Sequence, residues 1–548
     1  MRYFEKSKEL PITSVVNEEP INVIYQYFRH NNASRHNEIQ YALKRNCENP
    51  HVNRIILLNE RTYTDQELGI VSPKIEQHVI NQRLLFKDVF DHIDKHGVLG
   101  YNVIVNADIF VDDSISLLKR SNIHSVKSMI ALLRYEYNRS NGTSRIFGPR
   151  PESQDTWILH SNFNVSHHMR RVFNFQFGKP GCDEKVVYLM HLLGYIIYNV
   201  PQQIKTLHVH DTNIRDYTRK DVIPNPYGDV FPCNMVSEVH KQIETHFISK
   251  GKFMLFSNEN PRLGEYIATK VKNAQPFLIP RIAGIENNYA IIGNAMRQTN
   301  AISNHMQQYL QKTIGTMKNN AGIHIKNKDG VIRYSQMYLS AFEHCDMYTV
   351  WEPWGAVYPH IKDSHDKVTQ MYPKTTLWAW TLDIFNFIHS KPWTLSLRGQ
   401  RILVVSAFEH SLKEQIPKRE KIYGIDLFPE CEFIVLKPPQ TQGNEPSEDF
   451  YIEFQHFCKK LDEVKEEYDV ALVSAGGYGN LICDHIFMSG KSAIYVGGVL
   501  QMYFGIYGQR WLRERKEVMN LYLNNNWTRP KESERPSNST NIEGSCYW

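Results

Sequence analysis

The sequence predicts an α/β chain built as two domains in succession, and three observations predict it. Short β-branched runs alternate with helix-length segments from residue 22 to residue 210, a pattern that gives sheets with parallel pairs and helices packed on them. The run YNVIVNADIFVDD, Tyr101 to Asp113, ends a buried strand abruptly on carboxylates. From Arg401 onward a second series of β-branched strands recurs, and one of them runs into Ala475-Gly476-Gly477-Tyr478-Gly479-Asn480. A chain of 548 residues has room for two or three domains.

Composition narrows the class. Hydrophobic residues at 42% and charged residues at 22% are ordinary for a soluble globular protein. The net charge of +5 is dispersed with no Lys/Arg block, so nucleic acid is not an expected partner. Eight cysteines without a CxxC spacing argue against a zinc knuckle and a disulfide framework, and for a reducing, cytoplasmic setting. The opening MRYFEKSKELPI has no apolar h-region, so no secretory leader is expected. No run approaches the ~18 apolar residues of a membrane helix. An aromatic share of 12% suits a large core or a cleft for rings.

In order, residues 1–20 read as a polar lead-in. Asn22 to Phe28 reads as a first strand, Arg35 to Asn46 as a helix with Ile39, Ala42 and Leu43 on one face, and Arg54 to Leu58 as a second strand. A third strand lies at 74–80, a helix at 85–95, and Val103-Ile104-Val105 forms a fourth strand. That strand stops at Asn106-Ala107-Asp108. Oxygen ligands at the carboxyl end of a parallel strand suit Mg²⁺ or Mn²⁺ bridging phosphates, although Asn and Asp also make ordinary turns. A helix at 114–121 and a strand within 126–135 follow, then Ser153-Gln154-Asp155-Thr156-Trp157-Ile158. The apolar run 172–177 leads to Gly178-Lys179-Pro180-Gly181-Cys182-Asp183, where a helix begins. Asp183 sits where a carboxylate caps backbone N–H groups, which is also the commonest reason for an Asp there. Lys205 to His210 alternates as a short strand with His208 and His210 on one face, suited to ligate a metal or to hydrogen-bond at the surface.

The order of these signals resembles the GT-A glycosyltransferase fold, nearest to domains of large DNA viruses and some bacteria. Asn106-Ala107-Asp108, SQDTWI at 153–158, FQFGKPGCDEK at 175–185 and KTLHVH at 205–210 carry the resemblance, which spans about residues 20–225. It implies that Asp108 holds Mn²⁺ or Mg²⁺ against the diphosphate of a UDP-, GDP- or dTDP-sugar, with Asn106 replacing the first Asp of the usual DxD motif. It implies His208 or His210 as the late metal ligand, Asp183 as the base of an inverting transfer and Asp155 as the group that orients the acceptor. Tyr25 in the first strand and Arg83 after the third are placed with the donor, although a surface residue is the commoner reading of such an Arg.

Residues 226–234, rich in Pro, read as a linker and divide a domain at 21–225 from a second at 235–523. Helix-rich sequence at 235–272 precedes a strand and loop, Pro276 to Glu286. Helical, aromatic-rich sequence fills 300–390, and strands follow at 401–406, 432–436, 468–474 and 491–496. Strand, glycine turn, helix and strand make a Rossmann-like unit, in which glycines admit a phosphate or simply make a tight turn. RIAGIE at 281–286, LVSAGGYGNLICDHI and IYVGGVLQMYFGIYGQRW resemble the GT-D class of glycosyltransferase-like domains. The resemblance implies Arg281, Gly476, Gly477, Tyr478 and Gly479 at a nucleotide sugar and Glu286 as the acid of the loop, with Gly284 where the class has its first acid. Residues 524–548 read as a flexible tail.

The expected architecture is thus two Rossmann-like α/β domains. The expected activity is transfer of sugars from nucleotide donors to a glycan or glycoprotein acceptor, in two successive linkages. A single active first domain with a degenerate second one, and a non-catalytic nucleotide-sugar-binding protein, are the alternatives. A methyltransferase second half is a remoter one. A homo-oligomer is compatible with the sequence, and a viral origin would place the protein in host cytoplasm or virion.

Overall fold

The computed structural model describes residues 2–548 apart from 213, 215–216, 236–252, 256–258, 300–302, 354–356, 384–387, 444, 538 and 543–544. It has an α/β fold in two compact units, 1–257 and 258–548. The division falls later than the expected linker at 226–234, and most of the helix-rich stretch expected at 235–272 lies outside the described residues up to the helix Glu259–Lys272.

In the first unit the strands are β1 (Arg2–Lys6), β2 (Ile21–Tyr25), β3 (Arg54–Asn59), β4 (Ile75–Val79), β5 (Tyr101–Val105), β6 (Ile109–Val111), β7 (Ser128–Leu133), β8 (Tyr135–Asn138), β9 (Thr143–Ile146), β10 (Gln154–His160), β11 (Ile196–Tyr198), β12 (Thr206–Val209), β13 (Tyr227–Phe231) and β14 (Phe253–Leu255). The helices that bear on the site are α1 (Ala33–Glu48), α2 (Phe86–Lys95) and α3 (Cys182–Leu192). A seven-stranded sheet runs β11-β7-β10-β5-β2-β3-β4. Its β5-β2-β3-β4 portion is parallel, whereas β10 runs antiparallel to both β5 and β7. Strands β2 and β5 are buried at every residue, which is why they read as largely apolar runs rather than as alternation.

A smaller sheet, β6-β12-β8-β9, stands beside it. There β12 is antiparallel to β6 and parallel to β8, so His208 lies opposite both Ile109 and Glu136. A third sheet, β13-β1-β14, is wholly parallel. It corrects two expectations, because the lead-in supplies β1 and the linker supplies β13. Three prolines, Pro224, Pro226 and Pro232, bracket β13 without entering it, and its Gly228 lets the strand approach α3. A Cβ on Gly228 would stand 2.7 Å from the Tyr188 backbone nitrogen. The run at 172–177 forms no strand: its first two residues close a 3₁₀ segment, His167–Phe173, and Gln176 makes an isolated antiparallel bridge with Leu85.

The second unit has the parallel sheet β15-β21-β20-β18-β19, formed by β15 (Leu278–Ile279), β18 (Arg401–Ser406), β19 (Glu432–Leu436), β20 (Val470–Ser474) and β21 (Ser492–Tyr495). A parallel pair, β16 (Met347–Val350) and β17 (Thr375–Trp378), completes its strands among the described residues. Helices α4 (Ile285–Thr299), α5 (Lys328–His344) and α6 (Gly479–Met488) pack with this sheet around Tyr289, Tyr334, Tyr338 and Tyr478. The expected tail is part of the same fold. The Trp527 indole N–H donates to the Ile422 carbonyl at 3.2 Å, the buried Glu534 carboxylate accepts the His410 N–H at 2.7 Å, and Gln509 N–H reaches the Trp548 carbonyl at 3.0 Å. Two tryptophans and a tyrosine in an otherwise polar stretch supplied enough apolar surface to anchor it.

Candidate functional site

One cavity in the first unit, of about 640 Å³, opens where the carboxyl end of β5 meets the start of β10 and the head of α3. Because β10 is antiparallel to β5, its first residues fall beside the last residues of β5: Thr156 pairs with Val105, and the Asn106 N–H donates to the Asp155 carbonyl at 3.2 Å. The cavity wall includes Arg83, Asn106, Asp108, Asp155, Asp183, His208 and His210, seven of the residues singled out from sequence. Tyr25 is not among them. It is 1% exposed in the core with Leu57 and Val103, since both faces of β2 are covered.

Asp108 follows the β5 turn and sits just before β6. The pairing of β6 with β12 brings His208 to it, with His208 Nε2 at 3.1 Å from Asp108 Oδ2. His208 Nδ1 lies 3.0 Å from Glu136 Oε2, so both ring nitrogens face carboxylates. Burial alone would discharge this imidazole, but Asp108 and Glu136 override it and raise its pKa to about 9. Glu136 is lowered to about 2 by His208 and Arg134 against its own burial. From the first turn of α1, Arg35 donates through Nη2 to Asp108 Oδ2 and through Nη1 to Glu38 Oε2, both at 2.5 Å. Burial would raise the Asp108 carboxyl; the charges of His208 and Arg35 instead hold it far below the usual carboxylate range. His210 stacks on His208 with centroids 5.1 Å apart and meets Arg35 Nη1 at 3.2 Å, and burial with those two cations lowers its pKa.

Across the same cavity, Asn106 Nδ2 donates to Asp155 Oδ1 at 2.6 Å, and Asp155 Oδ2 takes an ion pair from Arg134. Asp183 lies in the first turn of α3, after Gly178 and Gly181, whose φ values of +63° and +83° make the tight entry. A Cβ at Gly181 would also meet the Tyr227 hydroxyl at 2.9 Å. Burial raises the Asp183 carboxyl well above its ordinary value, and the charges of Glu184 and Asp155 push the same way, opposed by the helix-start N–H groups. A carboxylate so raised is a stronger base than a solvated one.

Arg35, Arg134 and Glu136 were not singled out from sequence. Their signal was there in the strand-edge sequence Arg134-Tyr135-Glu136, where charge alternates at the end of an apolar run, and in an Arg in the first turn of the helix after the first strand. Ser153, also in the wall, holds φ at +93°, a costly conformation for a non-glycine residue and one that clusters at functional sites.

Asp108, His208 and His210 offer ligand atoms that all lie within 4.8 Å of one another. Two imidazoles and one carboxylate fit Mn²⁺ or a softer divalent ion better than Mg²⁺, which favours an all-oxygen octahedron. Binding there requires His208 to give up its proton and Arg35 to leave Asp108.

The residues expected around a second nucleotide site occupy the second unit. Arg281 donates through Nη1 to the Val496 carbonyl at 3.1 Å and lies 4.5 Å over the Trp351 ring. Glu286 begins α4, 9% exposed, near Tyr334, Tyr338 and Tyr495, whose hydroxyl pKa values rise with burial and with its charge. The glycine turn is committed to packing. Gly477 N–H donates to the Ala321 carbonyl at 2.7 Å, while the Gly476 and Gly477 carbonyls accept from the Tyr495 and Tyr334 hydroxyls at 2.8 and 3.0 Å. A Cβ at Gly477 would stand 2.3 Å from Ile323, and one at Gly479 2.4 Å from the Tyr495 ring. Tyr478 is fully buried. Close approach of protein to protein, rather than of phosphate to backbone, accounts for these glycines.

No protein-family model and no curated protein matches the chain. Among solved structures, a mannosyltransferase of Pyrobaculum calidifontis in complex with GDP-Man and Mn²⁺ aligns at 11% identity, covering 38% of this chain and 62% of its own, with a TM-score of 0.26. This chain therefore spans less than two thirds of that enzyme. The apo-form glycosyltransferase GlyE of Streptococcus pneumoniae TIGR4 aligns at 9% identity over 87% of this chain and 90% of its own, with a TM-score of 0.17. Both neighbours are glycosyltransferases, at TM-scores too low to carry an argument about this chain.

Proposed function

We propose that the first unit is a glycosyltransferase that moves a sugar from a nucleoside-diphosphate donor to an acceptor hydroxyl with inversion. The observation that carries the reading is one cavity that holds both a metal-capable cluster at Asp108, His208 and His210 and, at the head of α3, the Asp183 carboxyl. Arg35, paired with Asp108, and Arg83, which donates to the Phe177 carbonyl at 3.1 Å, are guanidinium groups of the wall able to turn onto a diphosphate, and Arg150, over the Phe147 ring, lies in the same wall. A Mn²⁺ ion held by Asp108 and the two histidines would neutralise the charge that gathers on the leaving diphosphate. Asp183 accepts the proton of the acceptor hydroxyl as its oxygen bonds to the anomeric carbon, while the bond from that carbon to the diphosphate oxygen breaks and the electron pair leaves with the nucleotide. Asp155, fixed by Asn106 and Arg134, orients the acceptor.

The glycine turn of the second unit, closed by Ala321, Tyr334 and Tyr495, favours a chain with one transferase site over one that forms two successive linkages. The test is nucleoside-diphosphate release by the full chain with UDP-, GDP- and dTDP-sugars, with and without Mn²⁺. One donor is turned over, and Asp183→Asn lowers kcat by about 10²–10⁴-fold while donor affinity holds. Metal-dependent turnover that survives in both Asp183→Asn and Asp108→Asn overturns the assignment.

A further inference from the structure

Three histidines outside the cavity form a second cluster. His78 lies on β4, the edge strand of the seven-stranded sheet. His92 lies on α2 and His96 directly after it, one helical turn on, so the two share a face. The ring centroids are 4.5 Å apart for His78 and His92, 4.8 Å for His78 and His96, and 4.3 Å for His92 and His96. One nitrogen from each ring lies within 4.8 Å of the other two.

Hydrogen bonding does not explain this convergence. His92 is 7% exposed and its Nε2 has no hydrogen-bond partner. A buried polar atom left unsatisfied is costly. The neighbouring charges are accounted for. Arg54 is held by Glu76 through two bonds of 2.6 Å, and the Glu76 carboxylate stands 4.0 Å from His78 Nε2. Burial, and the proximity of the other rings, lower the pKa of His92 to about 4 and that of His78 below its ordinary value. Neutral imidazole is the form that ligates a metal.

We propose that His78, His92 and His96 bind a zinc ion that clasps the edge strand β4 to α2. Three imidazoles and a water make a tetrahedral N₃O set, which suits Zn²⁺ and its neighbours in the first transition row and not Mg²⁺ or Ca²⁺. Nitrogens of such a site lie about 3.3 Å apart for bonds of about 2.0–2.1 Å. The nitrogens must therefore close by up to about 1.5 Å, which the exposed His96 and half-buried His78 have room to do.

The test uses the full-length, tag-free chain stripped with a chelator and titrated with Zn²⁺, and with Co²⁺ for its visible bands. Wild type takes up zinc at this site with a rise in Tm, and Co²⁺ gives a tetrahedral d–d spectrum. His96→Gln, a change at an exposed position that leaves folding intact, weakens this binding at least tenfold and removes the part of the Tm rise that persists in Asp108→Asn. Asp108→Asn retains both. Zinc affinity and Tm shift unchanged in His96→Gln and in His78→Gln, or zinc uptake lost only in Asp108→Asn, would overturn the proposal.

Discussion

His208 is held between Asp108 and Glu136, and the consequence is a pH dependence of a definite sign. Its folded pKa, raised to about 9 by those two carboxylates, exceeds the ordinary 6.5 of an unfolded chain. The stability it contributes is therefore complete below about pH 6.5 and is lost as the pH climbs through about 9. The size is on the order of 3 kcal/mol for a shift of this extent at about 1.4 kcal/mol per unit. Asp108 works from the other side: its depressed carboxyl contributes above the ordinary carboxylate range and loses that contribution as the pH falls. Urea denaturation of metal-stripped protein between pH 6 and 9.5 should show wild type losing stability across the window, and His208→Gln losing little. A flat wild-type profile would mean that the imidazole is not charged in the folded state. The same proton opposes a metal at this site, so Mn²⁺ affinity gains with pH over the same interval.

At the scale of elements, α3, whose first turn carries Asp183 into the cavity, packs backbone against backbone on β13. Gly228 permits this, since a Cβ would stand 2.7 Å from the Tyr188 nitrogen and 2.9 Å from its Cα. Gly228→Ala should cost about 1–3 kcal/mol through overpacking and should lower turnover as the head of α3 shifts. Equilibrium unfolding and steady-state rates on the one variant check both. The strand β13 that makes this contact was illegible in the sequence, because prolines bracket it and its partner β1 lies at the other end of the unit. Strands β2, β3 and β5 were legible for the opposite reason: both of their faces are covered, and they read as mostly apolar runs, with the buried Asn22 and Asn102 side chains bonded to each other. The site divides the same way. Asn106, Asp108, Asp155, Asp183 and the histidine pair announce themselves at strand ends and a helix start, and the fold gathers them in one cavity. Arg35, Arg134 and Glu136 leave a local trace of charge at a helix start and a strand edge, but their roles are set by pairing with Asp108, Asp155 and His208 on other elements. The glycine turn at 476–479 was visible, but whether its backbone faces a phosphate or Ala321 and Ile323 depends on a segment far from it in the chain.

At the scale of the whole chain, the decisive fact is that each unit carries its own core. The first is built on Ile24's neighbours Val23 and Tyr25 with Ile55, Leu57, Val103 and Val105, and the second on Tyr289, Tyr334, Tyr338, Leu403, Val405 and Val473. Every residue that lines the cavity also belongs to the first unit. A domain with its own core can fold alone. Residues 1–257 expressed by themselves should therefore unfold cooperatively, gain Tm with saturating donor and Mn²⁺, and release nucleoside diphosphate with a kcat/KM within about threefold of the full chain, a difference worth under about 0.7 kcal/mol. Residues 258–548 should release none. If the separated first unit folds and binds donor but transfers only when the second is added back, the acceptor site draws on both units. Turnover by the second unit alone would instead restore a chain that forms two linkages, and would require its donor to be held elsewhere than on the backbone at Gly476 to Gly479.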